Sequence, residues 1–269
     1  MRILNGLELA GFIKERQARE VRALRQAAKI IPKLAIVRTN PAPVVDAYMR
    51  LKRHYGEDIL VEVDVHETGQ TTAIELIKKL NADTSVHGII VQLPIPDPAQ
   101  TDDIVNTVSP QKDVDGLGKN PAFDPATPMA INWLLAGYNI ELKGKRIIIV
   151  GKGRLVGSPL AKMWRNSGLD VEIADRSTAD FAGTLRAADV IVSAAGKPEL
   201  ITSDMIKPGA VVVDAGVATD KNGLVGDVSS SARERSDLTI TPVKGGVGPL
   251  TVCALFENVI QAARRSASS

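Results

Sequence analysis

Residues Lys145–Gly157 read KRIIIVGKGRLVG. The apolar run Ile147–Val150 has the composition of a buried strand, and it leads into glycines at 151, 153 and 157. Strand, tight turn and helix in this order form a dinucleotide-binding unit. Glycine lets the backbone approach a pyrophosphate, and the helix N-terminus offers free N–H donors and a partial positive charge. The spacing, G-x-G-x-x-x-G, is one residue longer than the common fingerprint. A glycine turn between strand and helix also exists without any cofactor, so the flanking pattern has to decide.

Downstream, the pattern predicts a helix over 156–167, strand 170–174, helix 179–187, then strands 189–193, 210–214 and 237–243. That is the content of a doubly wound parallel sheet. Upstream, apolar residues at helical spacing (Leu9, Ile13, Val21, Leu24) predict a helix over 7–27. Strand 34–38, helix 43–55, strand 60–65, helix 73–80 and strand 87–93 follow, a second β-α-β series and a second parallel sheet. Prolines and glycines between 110 and 128 mark an irregular connection, followed by a short helix over 130–137. An amphipathic helix over 250–264 is expected to pack back on the first series. The expected organisation is α/β: residues 1–125 plus 250–269 form a first domain, and 126–249 form a Rossmann-type dinucleotide-binding domain.

Composition narrows the function. With 33 Lys+Arg against 31 Asp+Glu the net charge is +2, too balanced to argue for nucleic acid or an acidic membrane surface. The one cysteine, Cys253, precludes an internal disulfide and reads as a small buried hydrophobe. The N-terminus lacks the apolar core of a signal peptide, and no apolar run approaches a membrane span. The expectation is a cytoplasmic enzyme. His54, His66 and His87 are not at metal-ligand spacing, so no metal is expected. Serine-hydrolase elbows and phosphate-loop lysine motifs are missing from the sequence.

Three further segments are candidates for chemistry. Tyr48 and Lys52 share one helix face, one turn apart, as a phenol beside an amine; a surface tyrosine over a lysine stem reads the same way. Gln92 ends an apolar strand just before Pro94, where ligands of open α/β sheets bind, although such a glutamine also caps loop backbone. KDVDG at 112–116 sets two carboxylates in a turn, a pattern that turn geometry alone can explain. The loop TPVKGGVGPLT at 241–251 follows a strand, holds three glycines and enters a helix, so it can lie close to a ligand or serve only as a helix entry.

Taken together and in order, these segments resemble the bifunctional methylenetetrahydrofolate dehydrogenase/cyclohydrolase family over nearly the whole chain. The matching stretches are Tyr48-x-x-x-Lys52, GIIVQLPIP at 88–96, KDVDG at 112–116, GKGRLVGSP at 151–159, VIVSAAGKP at 190–198, VVVDAGV at 211–217, and GDV followed by ITPVKGGVGPLT. The resemblance implies two α/β domains flanking a cleft, and assigns folate binding and catalysis to the first, 1–125 plus 250–269. It makes Lys52 the key catalytic residue, with Tyr48 packing on the folate, Gln92 orienting Lys52, and Asp115 accepting hydrogen bonds from the pterin-like ring. Val91, Leu93, Gly245, Gly246, Val247 and Gly248 would join them at the substrate. Gly151, Lys152, Gly153, Val156, Gly157, Asp175, Arg176, Ser177 and Val217 would contact the cofactor. That cofactor is expected to be NADP, with NAD possible: Lys152 and Arg176 suit a 2′-phosphate, whereas Asp175 stands where a carboxylate binds the ribose 2′-hydroxyl of NAD.

The implied activity is oxidation of 5,10-methylenetetrahydrofolate and hydrolysis of the resulting 5,10-methenyltetrahydrofolate to 10-formyltetrahydrofolate, in a homodimer. A monofunctional dehydrogenase, or a relic that binds folate and dinucleotide without turnover, is the alternative. The chain departs from the family pattern at several points. Pro-Ala-Thr-Pro (125–128) replaces Pro-Cys-Thr-Pro, and the loop from Gly116 to Pro125 is shorter. Val45 stands for a serine, Gly151-Lys152-Gly153 for Gly-Arg-Ser, and Lys244 for a proline.

Overall fold

The computed structural model describes residues 1–220 and 223–267. In chain order the elements are β1 (Arg2–Ile3), α1 (Gly6–Ala23), β2 (Lys33–Arg38), α2 (Pro43–Ile59), β3 (Glu62–Glu67), α3 (Gln70–Ala82), β4 (Gly88–Val91), α4 (Thr101–Val105) and α5 (Ala126–Gly137). Then come β5 (Ile147–Val150), α6 (Gly157–Asn166), β6 (Val171–Ala174), α7 (Phe181–Arg186), β7 (Val190–Ser193), β8 (Val211–Asp214), β9 (Ala218–Asp220), β10 (Gly223–Val225), α8 (Ser230–Arg233), β11 (Thr239–Ile240) and α9 (Val247–Ala267). Among the described residues no helix is long and apolar enough to cross a membrane.

The chain divides into two compact units. Gly11–Ala126 with Val252–Ser269 contains the three-stranded sheet, in the order β3-β2-β4, with every pair parallel. β2 and β4 are apolar and buried because both faces are covered, whereas the edge strand β3 exposes Glu62, Asp64 and Glu67. Ala35, Val37, Ile89 and Val91 meet Ala73 and Ile77 of α3 in one core cluster. The C-terminal helix segment supplies Cys253, Phe256, Val259 and Ile260 as buried residues, so this unit is discontinuous in sequence.

Met1–Ala10 with Thr127–Thr251 contains the six-stranded sheet, ordered β1-β11-β8-β7-β5-β6 and parallel throughout. From β5 the chain steps outward to β6 and then returns to the other side as β7. The order therefore reverses at β5, and ligands of such sheets bind beyond the strand ends at that switch point.

Residues 1–10, expected with the first domain, lie instead in the six-stranded unit. Arg2 N donates to Leu238 O and Leu4 N to Ile240 O, both at 2.9 Å, which adds β1 to the sheet edge. A two-residue strand has no periodicity to read. The strand expected over 237–243 is confined to Thr239–Ile240, because Pro242 has no N–H to continue the ladder. Helices α5 and α9 begin earlier than expected. Pro128 and Pro249 fall in their first turns, where the missing N–H has no intrahelical partner to lose. The strand expected at 60–65 sits at Glu62–Glu67, since α2 runs on to Ile59 and closes on Leu60 in the left-handed conformation (φ 66°).

Candidate active site

In the three-stranded unit, close packing carries three side chains to one place. α2 lies on β3 at Gly56, where a Cβ would come within 2.5 Å of Val63; Lys52 is one turn earlier on α2. β4 lies against the 112–116 turn at Gly88, where a Cβ would meet Val114 at 2.9 Å; Gln92 is four residues further on. Ile89 N donates to Lys112 O at 2.7 Å, so the segment before Asp115 runs alongside β4 toward its carboxyl end.

Lys52 Nζ donates to Gln92 Oε1 at 2.7 Å. Gln92 is otherwise committed: its backbone N–H extends the sheet to Val37 O (2.9 Å), and its Nε2 donates to Leu93 O (2.9 Å). The amide oxygen is thereby held toward the lysine. Burial pushes the Lys52 ammonium below its ordinary value, against an opposing pull from Asp115. Burial likewise pushes the Asp115 carboxyl up to about 6, with Lys52 pulling it down and Asp113 pushing it up. The result is an amine readier than usual to lose its proton beside a carboxyl that titrates near neutrality, as acid–base sites require.

The two carboxylates of the turn have different work. Asp113 is buried and accepts from Gly116 N (3.1 Å), Leu117 N (3.3 Å) and Gly118 N (2.8 Å), so it builds the turn. Lys112 Nζ anchors the entry by donating to Leu80 O (3.0 Å) and Asp83 O (2.6 Å). Asn258 Nδ2 anchors the exit through Val114 O (2.8 Å) and Asp124 O (2.9 Å). Gly116 has φ 67°, and a Cβ there would meet Pro125 N at 2.8 Å, so the turn tolerates only glycine. Asp115 is left partly buried beside Lys52.

Tyr48 is exposed on the same helix as Lys52, one turn away. The Val91 side chain is in the core, so only its backbone is available to a ligand, and Leu93 is partly buried against the same cluster. Neither Asn258 nor Asp113 was a sequence candidate. Asp113 carried a visible signal in KDVDG, but Asn258 is one polar residue in a helix pattern.

In the six-stranded unit, Gly151 ends β5 with φ 97°, and a Cβ on it would lie 2.8 Å from Ala194 O. A Cβ on Gly157, the first residue of α6, would lie 2.0 Å from Gly151 O. The turn folds so tightly on the helix start that two of its glycines are obligatory. Gly153 has open space around it, and Val156 directly precedes α6. Lys152 Nζ pairs with Asp175 Oδ2 at 2.8 Å, and Asp175 Oδ1 accepts from Ser177 N (2.8 Å) and Oγ (2.5 Å). The lysine above all, then the serine, holds Asp175 well below the usual carboxylate range. Arg176 and Val217 are exposed. The 245–248 loop enters α9: Gly245 has φ 84° and its carbonyl accepts from Leu7 N at 2.9 Å. Gly246 lies so close to Gly6 that a Cβ on the latter would sit 1.9 Å from Gly246 O. Val247 is buried and Gly248 opens to free space.

A doubly wound parallel sheet with a glycine turn at its switch point, in one chain with an amine–amide–carboxyl site, defines a two-domain dinucleotide-dependent α/β enzyme. Residues 4–115 match the catalytic domain of tetrahydrofolate dehydrogenase/cyclohydrolase, and residues 125–267 match the NAD(P)-binding domain of the same proteins. The chain belongs to the tetrahydrofolate dehydrogenase/cyclohydrolase family. It is 36% identical over 275 residues to the bifunctional protein FolD of Exiguobacterium sibiricum, covering 97% of this chain and 99% of that one. The bifunctional FolD methylenetetrahydrofolate dehydrogenase/cyclohydrolase of Campylobacter jejuni is similar in structure, with TM-score 0.92, 35% identity, and coverage of 98% and 99% of the two chains. So is the Trypanosoma brucei FolD complexed with NADP cofactor and inhibitor, with TM-score 0.91, 31% identity, and 99% and 98% coverage.

Proposed function

We infer that this protein oxidises 5,10-methylenetetrahydrofolate to 5,10-methenyltetrahydrofolate with NADP and hydrolyses the product to 10-formyltetrahydrofolate. The single observation that carries the reading is the Lys52–Gln92 hydrogen bond, with the lysine pushed below its ordinary value beside Asp115.

In the first step a hydride leaves the methylene carbon, and the lone pair of the adjacent folate nitrogen stabilises the cation that remains. Positioning matters more here than an acid or base. Tyr48 offers a flat face for the folate, and Asp115, once ionised, accepts from the ring's amino and N–H groups. Bound NADP supplies the hydride acceptor. The residues fit that cofactor. The 151–157 turn has no room for a Cβ at two positions, which leaves backbone at the start of α6, and Lys152 and Arg176 are exposed cations suited to a 2′-phosphate.

In the second step water bonds to the methenyl carbon and loses a proton. The bond to one ring nitrogen then breaks as the new hydroxyl loses its own proton to become the formyl oxygen and that nitrogen takes up a proton, so one proton is released overall. Lys52, held by Gln92, is placed to carry the proton between them. We place the protein in the cytoplasm as a homodimer; the balanced charge and the family resemblance support this, and sedimentation of the purified chain tests the assembly.

The deciding experiment supplies methylenetetrahydrofolate with NADP or NAD in parallel and follows methenyl- and formyltetrahydrofolate. Turnover should be faster with NADP. Lys52→Met should lower hydrolysis of methenyltetrahydrofolate by about a hundredfold or more while dinucleotide still binds. Unchanged hydrolysis in that variant removes Lys52 from the mechanism.

A further inference from the structure

Two buried aspartates that the reaction does not use stand at the carboxyl ends of β7 and β8. Asp227 is fully buried, and its Oδ2 accepts from Ser193 Oγ (2.5 Å) and Ala195 N (2.7 Å) while its Oδ1 accepts from Lys197 N (2.6 Å). Asp214 ends β8. Its Oδ1 accepts from Gly216 N and Asp227 N at 3.1 Å each, and its Oδ2 from Val228 N (3.1 Å) and Arg233 Nη2 (2.5 Å). Arg233 Nη1 also donates to Thr241 O at 2.9 Å. The two glycines between them leave no slack. A Cβ on Gly216 would lie 2.1 Å from the Asp227 carboxyl carbon, and one on Gly226 would lie 2.0 Å from Asp214 Oδ2.

Burying a carboxylate is costly unless donors converge on it, as they do on both of these. What they hold is two short loops, 194–197 after β7 and 215–217 after β8. The loops touch, since a Cβ on Gly196 would lie 3.4 Å from Val217 O. They border the glycine turn, because Gly151 abuts Ala194 O. A dinucleotide crossing the switch point at β5 lays its adenosine half over β6, which Asp175 directly follows, and its other half over β7 and β8. Val217, an apolar side chain that is 57% exposed, stands on that side.

We propose that Asp227, Asp214 and Arg233 form a clasp that sets the shelf for the nicotinamide half of the dinucleotide. Ser193 and Asp227 are then positioning residues for the oxidation and not for the hydrolysis. The proposal rests on the reading of this chain as a bifunctional, NADP-dependent enzyme. It assigns a role to Asp214 of VVVDAGV and to Asp227 of GDV, neither of which is among the expected cofactor contacts.

The test measures, for Asp227→Asn and Ser193→Ala, direct NADP affinity by fluorescence titration, the KM for NADP, and the rate of methenyltetrahydrofolate hydrolysis. NADP affinity is expected to fall by about tenfold or more in Asp227→Asn, and less in Ser193→Ala. Hydrolysis is expected to stay within about twofold, because it needs no hydride acceptor. A purely structural role would lower both activities in parallel. That pattern, or wild-type NADP affinity in both variants, overturns the clasp. Should Asp227→Asn fail to fold by circular dichroism, Ser193→Ala decides alone, since it removes one hydroxyl. Unmutated protein that binds NADP but hydrolyses no methenyltetrahydrofolate refutes the bifunctional reading, and the affinity titration still decides the clasp.

Discussion

Asp115 shows how a residue can oppose the fold it sits in. Its carboxyl titrates near 6, mainly because burial disfavours the charge, against 3.8 for an ordinary aspartate. Between those values the folded chain keeps a proton that the unfolded chain releases. Stability therefore falls as pH rises from about 4 to about 6, and the cost is complete above the folded value. The shift corresponds to on the order of 3 kcal/mol at neutral pH, with the opposing pull of Lys52 already included. Asp115→Asn is accordingly expected to match the unmutated protein near pH 4 in urea unfolding and to exceed it near pH 7. Activity moves the other way. On the proposed role of the ionised carboxylate as acceptor for the folate ring, the KM for folate should fall as pH rises through about 6, and this dependence should vanish in Asp115→Asn. A variant that still shows it would place the titration elsewhere.

The elements explain why these side chains meet. α2, β4 and the 112–116 turn each bring one candidate residue, and each is fitted by a contact that nothing larger would allow: Gly56 on Val63, Gly88 on Val114, Gly116 on Pro125. The turn depends on α9 through Asn258, whose one amide serves two carbonyls. Asn258→Ala strands both acceptors in a buried place and is expected to cost about 1–3 kcal/mol. It should also raise the KM for folate while leaving NADP affinity unchanged; a loss of stability with folate KM unaltered would show that the turn does not need this anchor. Within the turn, spacing alone showed two carboxylates without ranking them, and the family resemblance singled out Asp115. The three backbone donors on Asp113 mark it as the turn-builder and leave Asp115 beside Lys52.

At the scale of the whole molecule, chain order and spatial grouping part company at both ends. The first ten residues join the six-stranded unit, and the segment from Val252 joins the three-stranded one. That last segment lies in the stretch matching the NAD(P)-binding domain, yet Cys253, Phe256, Val259 and Ile260 are buried in the discontinuous unit. Stopping the chain at Thr251 should therefore abolish folate binding and leave NADP binding, read by fluorescence titration with each ligand. Loss of both would mean that the six-stranded unit cannot stand without the segment.

Alternation of apolar strands and amphipathic helices was enough to establish two parallel α/β series, and the glycine spacing at 151–157 to locate the tight turn between β5 and α6. Periodicity is local, and these elements are long enough to carry it. The edge strand Arg2–Ile3, the hairpin of β9 and β10 and the clasp of Asp214 with Asp227 left no such trace. Each depends on partners distant in the chain or on elements of two or three residues. The same holds for the pairing of Lys152 with Asp175 and for the pH at which Asp115 loses its proton. Burial and converging donors set those properties, and both exist only once the chain has folded.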